Sequence, residues 1–274
     1  MGHGGIRLVL SDVDGTLLTS AKELAPSTVD AVAALHAAGI RFTVTSSRPA
    51  QGVAMLIEPL AIDAPIGAFN GGVFVDDALA VLHQLPLDVD AAAKVIGLID
   101  DAGVSPWLYT GTHWFVRDLD GPHVQHEARV CQYAPTATSD LVGALDDRSG
   151  PPVKVVGFCE DHDRVAAAEA AVRSALGDGV SATRSQAYYV DVTHPDANKG
   201  AAVAYLSAHL GIPTEAIATI GDGDNDTLMF APAGTSIAMG NATADVKALA
   251  THVTAANDDD GFARAMYDIV LPAT

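Results

Sequence analysis

Positive charge is scarce in this chain: 15 Lys and Arg stand against 34 Asp and Glu, a formal charge of −19 over 274 residues. Nucleic acid and acidic lipid are bound through clustered Lys and Arg, so neither is an expected partner. A small anionic substrate stays open, because one local lysine and a metal ion outweigh the global field. Aromatics are only 5% of the residues while apolar residues reach 49%, so the core must come from Ala, Val, Leu and Ile. Two cysteines, Cys131 and Cys159, make no disulfide framework, and nothing calls for an oxidising compartment. No apolar run approaches the roughly 18–20 residues of a membrane helix. The start, Met1–Gly5, has no apolar signal region and reads as a flexible lead-in. The expectation is a cytoplasmic protein built as one large domain or as a domain with an insert.

What is present alternates. Residues 6–11 form a short apolar run of the kind buried on both faces of a sheet. Pro26 opens a helical stretch closed near Gly39, then Ile40–Val44 reads as strand, Pro49–Leu60 as helix and Pro65–Phe69 as strand. The alternation resumes with helix Asn198–Leu210, strand Ile217–Ile220, helix Thr227–Ala231 and strand Thr235–Met239. Helical stretches Ala242–Ala250 and Asp259–Ile269 follow. This is the pitch of a doubly wound parallel sheet. Between them the pattern changes: helix Asp88–Ala102, a hairpin at Pro106–Tyr109 and His113–Arg117, strand Val153–Phe158, helix Asp163–Leu176, and strands Val180–Thr183 and Tyr188–Val192. An antiparallel hairpin does not belong to a parallel sheet, so residues 83–189 read as an α+β insert in an α/β domain formed by 1–82 and 190–274. The apolar hairpin Val73–Leu82 reads as the flank of the hinge between them.

Two acidic loops follow buried strands. Asp12-Val13-Asp14-Gly15-Thr16 ends the first, and Gly221-Asp222-Gly223-Asp224-Asn225-Asp226 ends a later one. The carboxyl edge of such a sheet is where ligands bind. Asp12 and Asp14, two residues apart on extended backbone, project to one side, and paired carboxylates require a cation or a shared proton. Neither loop is a calcium loop. Counting from Asp222, position 6 is Thr227 where Gly is needed and position 12 is Ala233 where Glu is needed, and counting from Asp12 position 6 is Leu17. Two oxygen-rich loops at one edge instead suit Mg²⁺.

With these residues in hand the chain resembles the haloacid dehalogenase superfamily, and within it the Cof-type phosphatases with an α+β cap. Four motifs carry the likeness: Asp12–Thr16, Thr45-Ser46-Ser47-Arg48-Pro49, Asn198-Lys199-Gly200 and Gly221–Asp226. Asn70-Gly71-Gly72, Ala238–Ala242 and Asn257–Gly261 also look Cof-like. The resemblance implies a Rossmann-like core with an inserted cap, and roles residue by residue. Asp12 would be the nucleophile that becomes an aspartyl phosphate, and Asp14 the acid that protonates the leaving alcohol and then activates water. Mg²⁺ would sit among Asp12, the Asp14 backbone carbonyl, Asp222 and Asp226. Ser46 and Lys199 would hold the phosphoryl oxygens, with Asn70, Gly71 and Asn225 positioning them. Motif two departs from the family at Ser47, where Gly is usual.

The implied activity is phosphomonoester hydrolysis on a small phosphorylated metabolite, sugar phosphates ahead of nucleotides or pyridoxal phosphate. Asp14 argues against carbon–halogen cleavage, whose enzymes lack that acid. A phosphomannomutase-like transferase is the alternative, disfavoured because Gly223-Asp224-Asn225-Asp226 stands where mutases carry Gly-Gly-Asn-Asp. A non-catalytic sensor would be expected to lack Asp12, Asp14 or Lys199. In the cap, Trp107, Tyr109, His113, Trp114, Arg117, Arg129, Lys154, Arg184, Tyr188 and Tyr189 are candidates for reading the substrate. His123 and His126 read as packing or surface on one helix face, and Cys131 as an exposed cap thiol with nothing beside it to activate it.

Overall fold

The computed structural model describes residues 5–145 and 149–273, so residues 1–4 of the expected lead-in lie outside the described residues. Strand β1 (Leu8–Ser11) is buried at every position. Helix α1 (Pro26–Ala37) starts on a proline, whose missing N–H is not needed there, and returns the chain to β2 (Arg41–Val44), parallel to β1.

The next two segments depart from the expected alternation. Residues Ala50–Leu56 form a 3₁₀ helix where an α-helix was expected, and Arg48 Nη1 donates to the Gly52 carbonyl within it at 3.1 Å. The strand β3 (Ile66–Ala68) lies in a small antiparallel sheet with β4 (Val73–Val75) and β5 (Val81–Gln84). A Thr45–Gly67 bridge links it to the end of β2, and Ile66 packs with Val9 and Phe42 of the parallel sheet. Positive φ at Phe69, Asn70 and Gly71 reverses the chain within three residues, and a parallel neighbour would need a crossover of about a dozen.

Helix α2 (Val89–Asp101), capped by the Asp88 carboxylate, leads into a six-stranded sheet. Its strands are β6 (Ser105–Thr110), β7 (Trp114–Val116), β8 (Thr136–Ala137), β9 (Pro152–Phe158), β10 (Ser181–Gln186) and β11 (Tyr189–Thr193). They run in the order β10-β11-β9-β6-β7-β8, antiparallel except for β7 and β8. The expected hairpin is β6–β7. Strand β11 runs to Thr193 within this sheet, four residues past the junction expected at 189. Helix α3 (Val124–Cys131), expected only as the helix face of His123 and His126 and starting one residue after His123, buries only Val124 and Cys131; helix α4 (His162–Leu176) packs beside α2, with the apolar face of the sheet beneath both.

The chain then closes the parallel sheet with α5 (Lys199–Leu210), β12 (Ile217–Gly221), α6 (Thr227–Phe230), β13 (Thr235–Ala238), α7 (Ala244–Leu249), β14 (His252–Val253) and α8 (Gly261–Ala265). Helix α8 starts at Gly261, after Asp260 at φ +57°, and runs on as a π-helical turn from Met266 to Val270. The strand order is β14-β13-β12-β1-β2, all parallel. Leu8 and Leu10 pack with Val203 and Leu206 of α5, while Val9 packs with Leu35 of α1 and Phe262 of α8. Helices therefore cover both faces, which is the doubly wound arrangement. From adjacent β1 and β12 the chain departs to opposite sides, leaving a crevice where their carboxyl ends meet. Among the described residues no helix is long and apolar enough to cross a membrane.

Candidate active site

The crevice brings the two acidic loops together. Asp12 donates its N–H to the Ile220 carbonyl at 2.9 Å, tying the first loop to β12. Gly15 has φ +84°, and a Cβ there would lie 2.4 Å from Asp222 Oδ2, so only glycine admits this approach. Thr16 Oγ1 and Asn241 Nδ2 donate to the two oxygens of Asp222, at 3.2 and 3.0 Å. Asp226 Oδ2 accepts the N–H groups of Asp222 and Gly223 at 2.9 and 2.8 Å, which fixes the second loop from inside.

Lys199 is the first residue of α5, held by the Asn198 side chain that accepts from Ala201 N–H. Its Nζ lies 2.5 Å from Asp12 Oδ1 and 2.5 Å from Asp226 Oδ1, and its side chain is 1% exposed. The second Asp12 oxygen has no bonded partner among the described residues and faces the cavity. Oxygens of Asp12, Asp222 and Asp226 gather within 4.8 Å of one another. Burial drives the Asp12 carboxyl up, Lys199 pulls it back, and Asp226 and Asp222 add to the rise, leaving it at about 7. Burial and the Asp226 charge raise Asp222 as well. Hard carboxylate oxygens in excess of the local positive charge are the donor set of a divalent hard cation, so the residues present fit Mg²⁺.

Asp14 is held differently. Arg48 grips it with Nε and Nη2, both at 2.7 Å, and Lys22 Nζ reaches Asp14 Oδ1 at 2.7 Å. Burial alone would raise this carboxyl, but the two cations more than offset it and hold it below the ordinary range. Arg48 Nη1 also donates to the Val130 carbonyl of α3 at 3.1 Å, so one side chain links Asp14 to the inserted segment. Ser46 is buried and accepts the Arg48 N–H at 3.2 Å. Ser47 is exposed and does not have positive φ, so its backbone does not require the glycine usual there.

Asn225 Nδ2 donates to Asn70 Oδ1 at 3.1 Å, and both residues line the cavity. Gly71 does not line it; with φ +89°, it lets the loop approach the Asn198 carbonyl, so its part is a backbone one. The cavity measures about 730 Å³ and lies between the parallel-sheet edge and one face of the six-stranded sheet. Of the cap candidates, Trp107, Tyr109, Lys154, Arg184 and Tyr189 line it, whereas His113, Trp114, Arg117, Arg129 and Tyr188 do not.

Several participants escaped the sequence reading. Arg48 and Thr16 were inside recognised motifs without a role, Asn241 sat in a Cof-like stretch, and Glu127 and Asp191 carried no signal. Cys131 is buried, correcting the expected exposure: its thiol donates to Glu127 Oε1 at 3.2 Å and burial pushes its pKa up, so it stays protonated. His123 precedes α3 at φ +66° and stacks on Phe158 with ring centroids 4.7 Å apart.

Comparison with known proteins places this arrangement. The sequence model of the haloacid dehalogenase-like hydrolases matches residues 9–266. An Enterobacter sp. (strain 638) HMP-PP phosphatase is 30% identical over 250 residues, covering 90% of this chain and 89% of that protein. The 5-amino-6-(5-phospho-D-ribitylamino)uracil phosphatase YitU of Bacillus subtilis (strain 168) is 28% identical over 264 residues, covering 94% and 95%. A crystal structure of a haloacid dehalogenase-like hydrolase from Bacteroides thetaiotaomicron superposes with a TM-score of 0.89 at 26% identity, covering 96% of this chain and 99% of that one.

Proposed function

The chain belongs to the haloacid dehalogenase-like hydrolase family, and on that premise we propose that it is a Mg²⁺-dependent phosphatase. Its substrates are phosphomonoesters of small metabolites, sugar phosphates foremost, hydrolysed in the cytoplasm through an aspartyl phosphate on Asp12. The observation that carries this reading is the Asp12 carboxylate, one oxygen on Lys199 and the other free toward a metabolite-sized cavity. The relatives named above are phosphatases of small phosphorylated compounds, which supports the same class. The parallel-sheet unit supplies the chemistry and the unit carrying the six-stranded sheet, through Thr193, acts as the cap.

Asp12, Asp222 and Asp226, with the Asp14 backbone carbonyl, would hold Mg²⁺. The ion supplies charge that lets an anionic nucleophile approach an anionic phosphate. Lys199 orients Asp12 and neutralises phosphoryl oxygens, and Ser46, Asn70 and Asn225 orient the group from the other side. Asp226 spends both oxygens on Lys199 and its own loop, so its part beside the ion would be chiefly to fix that loop and Lys199. Attack by the free Asp12 oxygen divides one displacement into two easier ones. Arg48 and Lys22 keep Asp14 ionised, the state in which it takes a proton from the hydrolytic water. To protonate the leaving oxygen Asp14 must first take up a proton from solvent, which requires one cation to let go, and Lys22, half exposed, is the one free to do so.

The test is phosphate release across a panel of phosphorylated metabolites, with Mg²⁺ and with chelator, beside Asp12→Asn. Mg²⁺-dependent release concentrated on a few sugar phosphates and absent from the variant is expected. Wild-type-like turnover in Asp12→Asn would remove the nucleophile assignment, and no release from any compound would remove the phosphatase.

A further inference from the structure

Strand alternation sets what the six-stranded sheet shows to the cavity. Trp107 and Tyr109 of β6, Lys154 and Val156 of β9, and Tyr189 and Asp191 of β11 line it, while Leu108, Val155 and Val190 between them enter the apolar layer under α2 and α4. Near the centre of this face Lys154 Nζ and Asp191 Oδ1 form an ion pair at 2.7 Å, each side chain 11% exposed. Among the described residues neither Nζ nor the second Asp191 oxygen makes another hydrogen bond or ion pair; Nζ lies over the Phe69 ring, 6.0 Å from its centroid. An ammonium donor and a carboxylate acceptor therefore end side by side on the cavity wall. Desolvated polar groups of this kind are costly unless bonded, so a ligand that offers both an acceptor and a donor is complementary to them.

The charge of the lining decides what else that ligand carries. Seven acidic side chains line the cavity against four basic ones. Each basic group already holds a carboxylate: Arg48 holds Asp14, Lys154 holds Asp191, Arg184 holds Glu169, and Lys199 holds Asp12 and Asp226. Lys199 lies at the phosphoryl end, and no basic group of the lining is left unpaired for a second anion. With a divalent cation held by Asp12, Asp222 and Asp226 the lining still carries one net negative charge, so a tail carrying a second anion meets no free cation in a partly desolvated space.

We infer that Lys154 and Asp191 read the leaving group, and that the leaving group is neutral and polyhydroxylated: the ammonium donates to one of its oxygens and the carboxylate accepts from a neighbouring hydroxyl. This rests on the phosphatase reading and narrows it. Phosphorylated sugar acids and bisphosphates are disfavoured substrates.

The experiment compares sorbitol 6-phosphate, whose leaving group is a neutral polyol, with 6-phosphogluconate, the same chain length ending in a carboxylate, and runs 4-nitrophenyl phosphate on the wild type as a reference for the chemistry. The wild type is expected to favour sorbitol 6-phosphate in kcat/KM by at least about tenfold. Asp191→Asn unmasks the Lys154 charge, and the preference is expected to shrink about tenfold or invert, mainly because the sugar acid binds more tightly to the freed ammonium. Because that variant strands a buried ammonium, the Lys154→Met/Asp191→Leu double variant, checked for folding by thermal melting, accompanies it. In the double variant the acidic surplus of the lining is unchanged, so part of the preference is expected to remain, while kcat/KM for sorbitol 6-phosphate is expected to fall about tenfold because its hydroxyls lose both partners. A wild type that cleaves 4-nitrophenyl phosphate but neither sugar ester, or both equally, overturns the inference, as does a double variant that cleaves sorbitol 6-phosphate as well as the wild type. Absence of release from all three compounds overturns the phosphatase reading and the inference together.

Discussion

The two walls of the cavity are built on opposite plans. At the parallel-sheet edge the polar groups are charged and bonded to one another: Lys199 spans Asp12 and Asp226, Asp226 closes its own loop, and Arg48 takes both oxygens of Asp14. On the six-stranded sheet the same cavity meets aromatic rings, hydroxyls, the Lys154–Asp191 ion pair and Arg184 paired with Glu169. The first wall arises at loops after strands, where two chain segments 187 residues apart must meet within hydrogen-bond distance. The second arises from alternation along strands, where each residue is placed by its neighbours' pleat. Charge networks tolerate little change because every partner has a partner, while a pleated face accepts substitution residue by residue.

Breaking the first wall has the largest expected effect. Asp12→Asn is expected to lower phosphate release by at least about 10⁴-fold, since the remaining groups bind but do not attack. Its melting temperature is expected to hold or rise, because a buried negative charge is gone; a fall in melting temperature would contradict the account of the cluster. Lys199→Met leaves Asp12 and Asp226 buried without their cation and is expected to cost about 3–5 kcal/mol in urea unfolding, with Mg²⁺ recovering part of it. An unchanged midpoint would show that Lys199 is not the counter-charge.

Smaller effects sharpen the contrast. Arg48→Lys loses the two-pronged grip on Asp14, so the Asp14 carboxyl is expected to move up from its depressed position. Hydrolysis that needs it ionised then falls off at higher pH than in the wild type, and the acid limb of the pH–rate profile reports this. Behind the second wall, His123 packs on Phe158 and Tyr189. Burial and then the His126 charge hold its imidazole below its ordinary range, so the folded chain binds a proton there less readily than the unfolded chain. Its contribution to stability is complete above the ordinary histidine value and is lost as pH falls through it. Melting at pH 7.5 and 5.5 is expected to show a smaller drop for His123→Gln than for the wild type. An equal drop would place the sensitive group elsewhere.

Much of this was legible in the residues. Apolar runs ending in Asp12 and Gly221 mark buried strands whose carboxyl ends carry the acidic loops, and Lys199 behind the Asn198 cap marks a helix start aimed at them. The 3₁₀ helix at Ala50–Leu56 was not legible, because Arg48, which donates to the Gly52 carbonyl at its start, is itself positioned by Asp14 and Val130 from distant parts of the chain. Helix α3 was legible only as the face of His123 and His126, because its polar Val-Gln-His-Glu-Ala-Arg-Val-Cys run buries only two side chains. Arg48 on Asp14, Asn241 on Asp222 and Lys154 on Asp191 join residues 34, 19 and 37 positions apart in chain, and no local period encodes such pairs.

The amino-acid order by itself determined most of the strands, the doubly wound arrangement and the acidic loop at Asp12, because hydrophobic periodicity and glycine turns act over a few residues. The tertiary structure alone decided which cations are already engaged, which of the ten candidates in the inserted segment line the cavity, and that Cys131 is buried. Those depend on register and on charge desolvated between segments distant in chain, quantities that exist only once the two sheets face each other.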